Sequence, residues 1–162
     1  MKNKFKLDNI DIKILQILQE NARISNIDLS EQVGVSPSPC LRRVRALEEN
    51  GYVNGYYADL NQTALNMEAV VFVSIKAEFA NDLEREEFET ELAKLPEIRD
   101  IFALATETDF LCKVVATNYQ TYKMFVHQQL ARVPHIKQVK STHVRRTIKN
   151  KYGIPIINQF SK

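Results

Sequence analysis

A stretch of 27 residues, Ser25–Gly51 (SNIDLSEQVGVSPSPCLRRVRALEENG), limits what this chain can fold into more than any other. Ser25 and Asp28 stand at the spacing of a helix N-cap and its partner, so a helix is expected from Asn26. It carries Ile27, Leu29 and Val33 inward and stops at Gly34, a residue suited to a left-handed helix end. Ser36 reads as the next N-cap, with Pro37 in the first turn, where its missing N–H costs nothing. At 100° per residue, Pro37, Cys40, Leu41, Val44 and Leu47 fall on one side of this second helix. Ser38, Arg42, Arg45 and Glu49 share the other, with Pro39, Arg43 and Ala46 at its margins.

A charged helix face is often only a solvated face. Here it follows a short glycine-containing turn and a capped partner helix, which is how a helix-turn-helix offers its second helix to the DNA major groove. The guanidinium fork fits guanine O6 and N7, or phosphate oxygens, as a point charge does not. Arg42 and Arg45 are therefore the candidates for base edges or adjacent phosphates. Ser36, Ser38, Pro39 and Arg43 are the candidates for contact with the DNA backbone.

The totals exclude several classes. A chain of 162 residues suits one or two small domains, and its 44% hydrophobic content is enough for a packed core. No apolar run approaches the roughly 20 residues that cross a bilayer. The start, MKNKFKLDNID, lacks the apolar core of a secretory signal, so the cytoplasm is the expected compartment. Cys40 and Cys112 form no CxxC pair, and both read as packing residues. His127, His135 and His143 lie eight residues apart, without ligand spacing, so neither a metal nor a cofactor is implied.

Net charge does not announce nucleic acid. Residues 1–60 hold eight basic and eight acidic side chains, and the signal lies in three arginines without an acid between Pro37 and Leu47. A second cluster, Lys137, Lys140, Arg145, Arg146, Lys149 and Lys151, has no acid among residues 137–151. Attraction to DNA and the exposed face of a strand explain that cluster equally well.

Before the paired helices, Leu7 to Gln19 repeats apolar residues at helical spacing, giving a first helix that closes over the other two. After Gly51, YVNGYYADL reads as a strand with a bend, a wing or a tether, and the first domain ends near residue 60. Residues 61–162 follow a different pattern. Strands are expected at 69–77, 98–106, 110–117 and 136–148, with helices at 82–95 (Leu83, Phe88, Leu92 and Leu95 inward) and 119–133. LAKLPEI at 92–98 recurs as LARVPHI at 130–136, each copy closing a helix before proline and opening a strand. The order βαββαβ is the ferredoxin-like arrangement, so the whole is α+β, a (winged) helix-turn-helix followed by a ferredoxin-like domain. The first strand is apolar on both alternating sets, Val71, Val73 and Ile75 against Val70 and Phe72. Two helices cover one face of such a sheet, and the other is expected to meet a second copy of itself.

From LDNIDIKILQILQEN through SPSPCLRRVRALEENG to YVNGYYADL, the first part resembles the DNA-binding domain of the Lrp/AsnC (feast/famine) transcriptional regulators. The βαββαβ part resembles their ligand-sensing and oligomerising domain, so the likeness covers about residues 5–157. It implies a regulator of transcription on double-stranded DNA, built as homodimers and usually as octamers of four dimers. It also implies an amino-acid effector bound between dimers near the turn after the second strand, and a hinge at YVNGYYADL that often exchanges with the partner subunit. That turn, Thr106-Glu107-Thr108-Asp109-Phe110, has glutamate where the family usually has glycine. LARVPHI places His135 where the family generally has glycine after proline. Both departures fall at one end of the sheet, so Thr106 to Phe110 and His135 are the candidate effector residues, with a changed preference or lost sensing as the expected consequence.

An enzyme finds no support, since the four glycines form no phosphate cradle and neither GxSxG nor HExxH occurs. The remaining alternatives are an effector-independent architectural regulator of the same fold and an oligomerising sensor that does not bind DNA.

Overall fold

Asp8 starts the first helix. Its side chain accepts hydrogen bonds from the N–H groups of Ile10 and Asp11 (2.9 Å each), and the Asp11 carboxylate accepts one from the Asp8 N–H at 3.0 Å. This capping box opens α1, Asn9–Glu20. The computed structural model describes residues 6–105, 109–151 and 153–156. They fall into two compact units, Met1–Asp59 with Lys149–Lys162, and Leu60–Ile148.

In the first unit α2 runs Asn26–Val33 and α3 Pro37–Glu49. Ser25 caps α2 through the Asp28 N–H, and Gly34 closes it at φ 78°, with Val35 N–H reaching back to the Ser30 carbonyl at 3.0 Å. Ile12, Ile14, Leu29, Val33, Cys40 and Leu47 form the core. Two expectations about side-chain direction fail. Ile27 is 61% exposed and Ser30 takes a buried place instead. Two residues along a helix is about 200°, so Ile27 cannot share a face with Leu29. Leu41 is 40% exposed, because the buried stripe of α3 runs through Cys40, Val44 and Leu47 with Arg43 on its flank.

A unit of about 60 residues buries a smaller share of its surface than a larger domain does, and this one gains from residues 151–156. The Gln19 amide binds both backbone groups of Ile154, donating to its carbonyl at 2.9 Å and accepting from its N–H at 3.0 Å. Gln16 donates to the Ile156 carbonyl (3.3 Å), Lys151 pairs with Glu20 (2.5 Å), and Ile156 packs on the core. Residues 53–60 carry no regular secondary structure, contrary to the expected strand, and Tyr57 and Leu60 are exposed. Tyr56 donates a hydrogen bond to Glu48 at 2.7 Å. Burial, followed by that bond and the carboxylate's charge, pushes its phenol up to about 12.

The second unit is ordered β1 (Ala69–Ala77), α4 (Asp82–Ala93), β2 (Ile98–Ala103), β3 (Asp109–Ala116), α5 (Tyr119–Gln128), a 3-10 turn Leu130–Arg132 and β4 (Ile136–His143). The sheet runs β2-β3-β1-β4, every neighbouring pair antiparallel. This is the ferredoxin-like order. Val71, Val73, Ile75, Phe110, Cys112 and Val114 face the helices, which contribute Phe88, Leu92, Tyr122, Phe125 and Leu130 to one core. Phe72 and Phe102 belong to the opposite face and are 37% and 52% exposed. Leu83, expected inside, is 76% exposed, since five residues (about 140°) separate it from Phe88. The helix expected over 119–133 ends at Gln128, tightening into the 3-10 turn before Pro134.

Candidate functional site

The outer face of α3 is built by what its neighbours leave free. Arg43 turns toward α1, where its Nη1 lies 2.7 Å from Asp11 Oδ1 and 2.8 Å from Asp8 Oδ2. The Asp11 side chain is 4% exposed, so a full carboxylate is buried against this guanidinium. Burial works against the charge on Asp8, but the Asp11 N–H and then Arg43 outweigh it and hold its carboxyl below the usual value. The two aspartates, in turn, raise the Arg43 pKa, Asp11 most of all. Arg43 is thus employed inside the unit rather than offered outward. Its partners lie 32 and 35 residues away, which a wheel of α3 alone cannot register.

Arg42 and Arg45 point the other way. Both are exposed, and among the described residues neither forms an ion pair. With Ser38, Leu41, Ala46 and Glu49 they line one shallow concavity along the helix. Ser36 holds the N-cap position with extended backbone, yet its side chain makes no capping hydrogen bond. Pro37 and Pro39 carry no N–H, so Ser38 supplies the only one among the first three helical positions. An anion at this helix start would meet hydroxyls and guanidinium groups more than the usual row of amides. Pro39 is half-buried. Asn26, not singled out from sequence, donates to the Pro37 carbonyl at 2.9 Å and ties the start of α2 to that of α3.

At the other candidate site, Thr106, Glu107 and Thr108 lie outside the described residues, as does the side chain of Asp109. The register brings the flanking positions together. Phe110 pairs with Ile75, and Ile136 with Ala77, so the start of β3 and the start of β4 meet at the end of β1. Phe110 is buried, 4.9 Å from the Phe88 ring and 6.3 Å from Phe79. Phe79 in turn lies 5.8 Å from the His135 ring, with the Arg85 guanidinium 5.1 Å over its face. His135 stands at φ 65°, the left-handed region that glycine occupies freely. Its carbonyl accepts from the Glu78 N–H at 3.1 Å. Its ring nitrogens lie 3.4 Å from Glu84 and 3.8 Å from Glu87. A side chain in a strained backbone position is thus packed between an aromatic ring and two carboxylates of α4.

Fold and site together define a class, a helix-turn-helix DNA-binding module carried on one chain with a ligand-binding ferredoxin-like unit. Residues 7–54 match the family described as winged helix-turn-helix DNA-binding, and residues 70–154 match the Lrp/AsnC ligand binding domain. The chain belongs to the Lrp/AsnC family of DNA-binding transcriptional regulators, which are not enzymes. It is 37% identical over 153 residues to a leucine-responsive regulatory protein of Rhizobium meliloti, covering 94% of this chain and 98% of the relative. The leucine-responsive regulatory protein of Escherichia coli is also 37% identical, over 88% of this chain and 87% of its own. A transcriptional regulator of Neisseria meningitidis, solved in complex with L-methionine, is 39% identical with a TM-score of 0.88, covering 93% of this chain and 97% of that one. An AsnC family regulator of Agrobacterium tumefaciens is 30% identical with a TM-score of 0.87, over the same shares.

Proposed function

We propose that this regulator reads its operators with the outer face of α3, as a symmetric assembly whose DNA binding responds to an amino acid. The exposed pair Arg42 and Arg45, without an ion pair among the described residues, carries the reading. Arg42 and Arg45 reach base edges or adjacent phosphates, while Ser36, Ser38 and Pro39 seat the helix start on the backbone. Arg43 positions α3 against α1. In binding measurements on a mapped operator, Arg42→Ala is expected to cost about 1–3 kcal/mol of affinity and to relax sequence preference. Unchanged affinity would overturn this orientation of the helix.

The assembly is a homodimer joined through the open sheet face of Phe72 and Phe102, which places two α3 helices about one DNA turn (~34 Å) apart or a multiple of it. Octamers of four such dimers are the larger form. The effector is an amino acid at the end of the sheet marked by Phe110, His135 and the turn of Thr106, Glu107, Thr108 and Asp109. The methionine-bound relative supports the class of ligand. A glutamate at 107 would disfavour an α-carboxylate and favour ammonium or a basic side chain, as would Glu84 and Glu87, which stand beside His135. Calorimetric titration with the twenty amino acids decides. Lysine or arginine binding more tightly than leucine supports the charge preference, leucine or methionine binding more tightly ends it, and no binding at all supports the effector-independent alternative.

A further inference from the structure

The first turn of α3 is short of the supports that a helix start usually has. Ser36 stands at the N-cap without a side-chain capping bond, and Pro37 and Pro39 bring no N–H to the first three helical positions. Backbone pairing within the helix begins with the Cys40 N–H on the Ser36 carbonyl at 3.1 Å. Yet this turn carries Ser38 and Pro39 and leads directly into Arg42, so its direction sets where those side chains go.

α2 holds the turn at two places, and every residue concerned belongs to the first unit. At the end of α2, the Gly34 and Val35 N–H groups both reach back to the Ser30 carbonyl at 3.0 Å, which fixes the chain as it enters α3. At the start of α2, Asn26 Nδ2 donates to the Pro37 carbonyl at 2.9 Å. Asn26 is itself a firm point of attachment. Ser25 caps α2 immediately before it, accepting from the Asp28 N–H at 3.1 Å and donating to the Asp28 carboxylate at 2.7 Å. Asn26 is half-buried and its Oδ1 is out of contact with solvent, so the amide does not swing freely. At 1.5 Å of rise per residue, the two attachments stand about 10 Å apart along α2. One attachment leaves a helix free to pivot, whereas two set its direction.

Resting on the reading of α3 above, we propose that Asn26 is a positioning residue for sequence recognition. Its bond to Pro37 holds the angle of α3 on α2, and through that angle the reach of Arg42 to base edges. A hydrogen bond to a base edge works over only a few tenths of an ångström. A swing of about 5° moves a point roughly 12 Å away by about 1 Å, which is beyond that range. Attraction to phosphates acts over longer distances and survives such a swing. Loss of the bond therefore removes preference between sequences and leaves general attraction to the duplex.

The test is duplex binding by full-length protein, with Asn26→Leu and Asn26→Asp against wild type. Both replacements match asparagine closely in size and lack the donor. The ratio of operator to random-sequence affinity is expected to fall roughly tenfold in each. In Asn26→Leu the random-sequence affinity and the slope of log affinity against log salt stay as in wild type, since no charge changes. Single base-pair changes across the operator half-site should then matter less at several positions together. A role confined to stability is separated by the ratio, because unfolding part of the protein lowers both affinities alike. An unchanged ratio overturns the inference while leaving the α3 reading intact, as does a loss confined to one base pair, the mark of a direct contact. Arg42→Ala with an unchanged ratio overturns the α3 reading and this inference with it.

Discussion

Removing the Arg43 side chain gives a sharp test of the account, because sequence and structure assign it different work. Arg43→Met keeps the aliphatic stem and deletes the charge, leaving the Asp11 carboxylate, 4% exposed, without its cation. Breaking a fully buried pair from one side costs about 3–5 kcal/mol. The Arg43 and Asp8 side chains are 32% and 49% exposed, so water recovers part of that loss. A destabilisation of about 2–3 kcal/mol in the first unit is expected. Amide exchange in peptides from α1 and α3 reads that unit by itself, and urea unfolding gives the total. Asp11→Asn in the same chain removes the stranded charge, so the double variant should recover much of the stability, a coupling of about 1–2 kcal/mol in the double-mutant cycle. The salt slope of DNA binding should not change. Unchanged stability with a reduced salt slope would refute the assignment and return Arg43 to the DNA.

The same cluster sets an acid limit. The Asp8 pKa is lowered on folding, so its stabilisation is complete above the ordinary carboxylate value near 3.9 and is lost as pH falls through the lowered value; acid unfolding of the first unit should move to higher pH in Arg43→Met. At His135 the φ of 65° can be isolated by comparing His135→Gly with His135→Ala, since both lose the imidazole; glycine should be the more stable by about 1 kcal/mol in urea unfolding, and equal stabilities would contradict the strained backbone. Cys112 is buried and burial pushes its thiol up to about 12, so at pH 8 it should resist Ellman's reagent until the second unit unfolds. Labelling faster than unfolding would contradict its place in the core.

What could be read from sequence follows the range of the forces involved. Ser25, Gly34 and Gly51 act within a few residues of themselves, and the boundaries of α2 and α3 were legible from them. The ferredoxin-like order was legible because LAKLPEI and LARVPHI mark both helix-to-strand junctions, and the apolar alternation of β1 set its two faces. Side-chain direction failed where an apolar residue was counted inward by type alone, as at Ile27 and Leu83, and at Leu41, which the wheel sets at the margin of the stripe through Cys40, Val44 and Leu47. The partnership of Arg43 with Asp8 and Asp11, and the docking of Ile154 on Gln19, join residues from 32 to 135 positions apart. No local period encodes such pairings. YVNGYYADL has the composition of a strand, but a strand needs a hydrogen-bonding neighbour, and none is supplied to residues 53–60 within the described chain.

Photocrosslinking from position 41 addresses the orientation of α3 most directly. Leu41 is 40% exposed between Ser38 and Arg42 on the outer face, whereas Leu83, 76% exposed, stands on α4 of the second unit. With benzoylphenylalanine in place of Leu41 and the protein saturated with operator duplex, irradiation should give a covalent adduct to DNA, and the same group in place of Leu83 should give none. Saturated binding with no adduct from position 41, or adducts from position 83 alone, would contradict the assignment of this face to DNA.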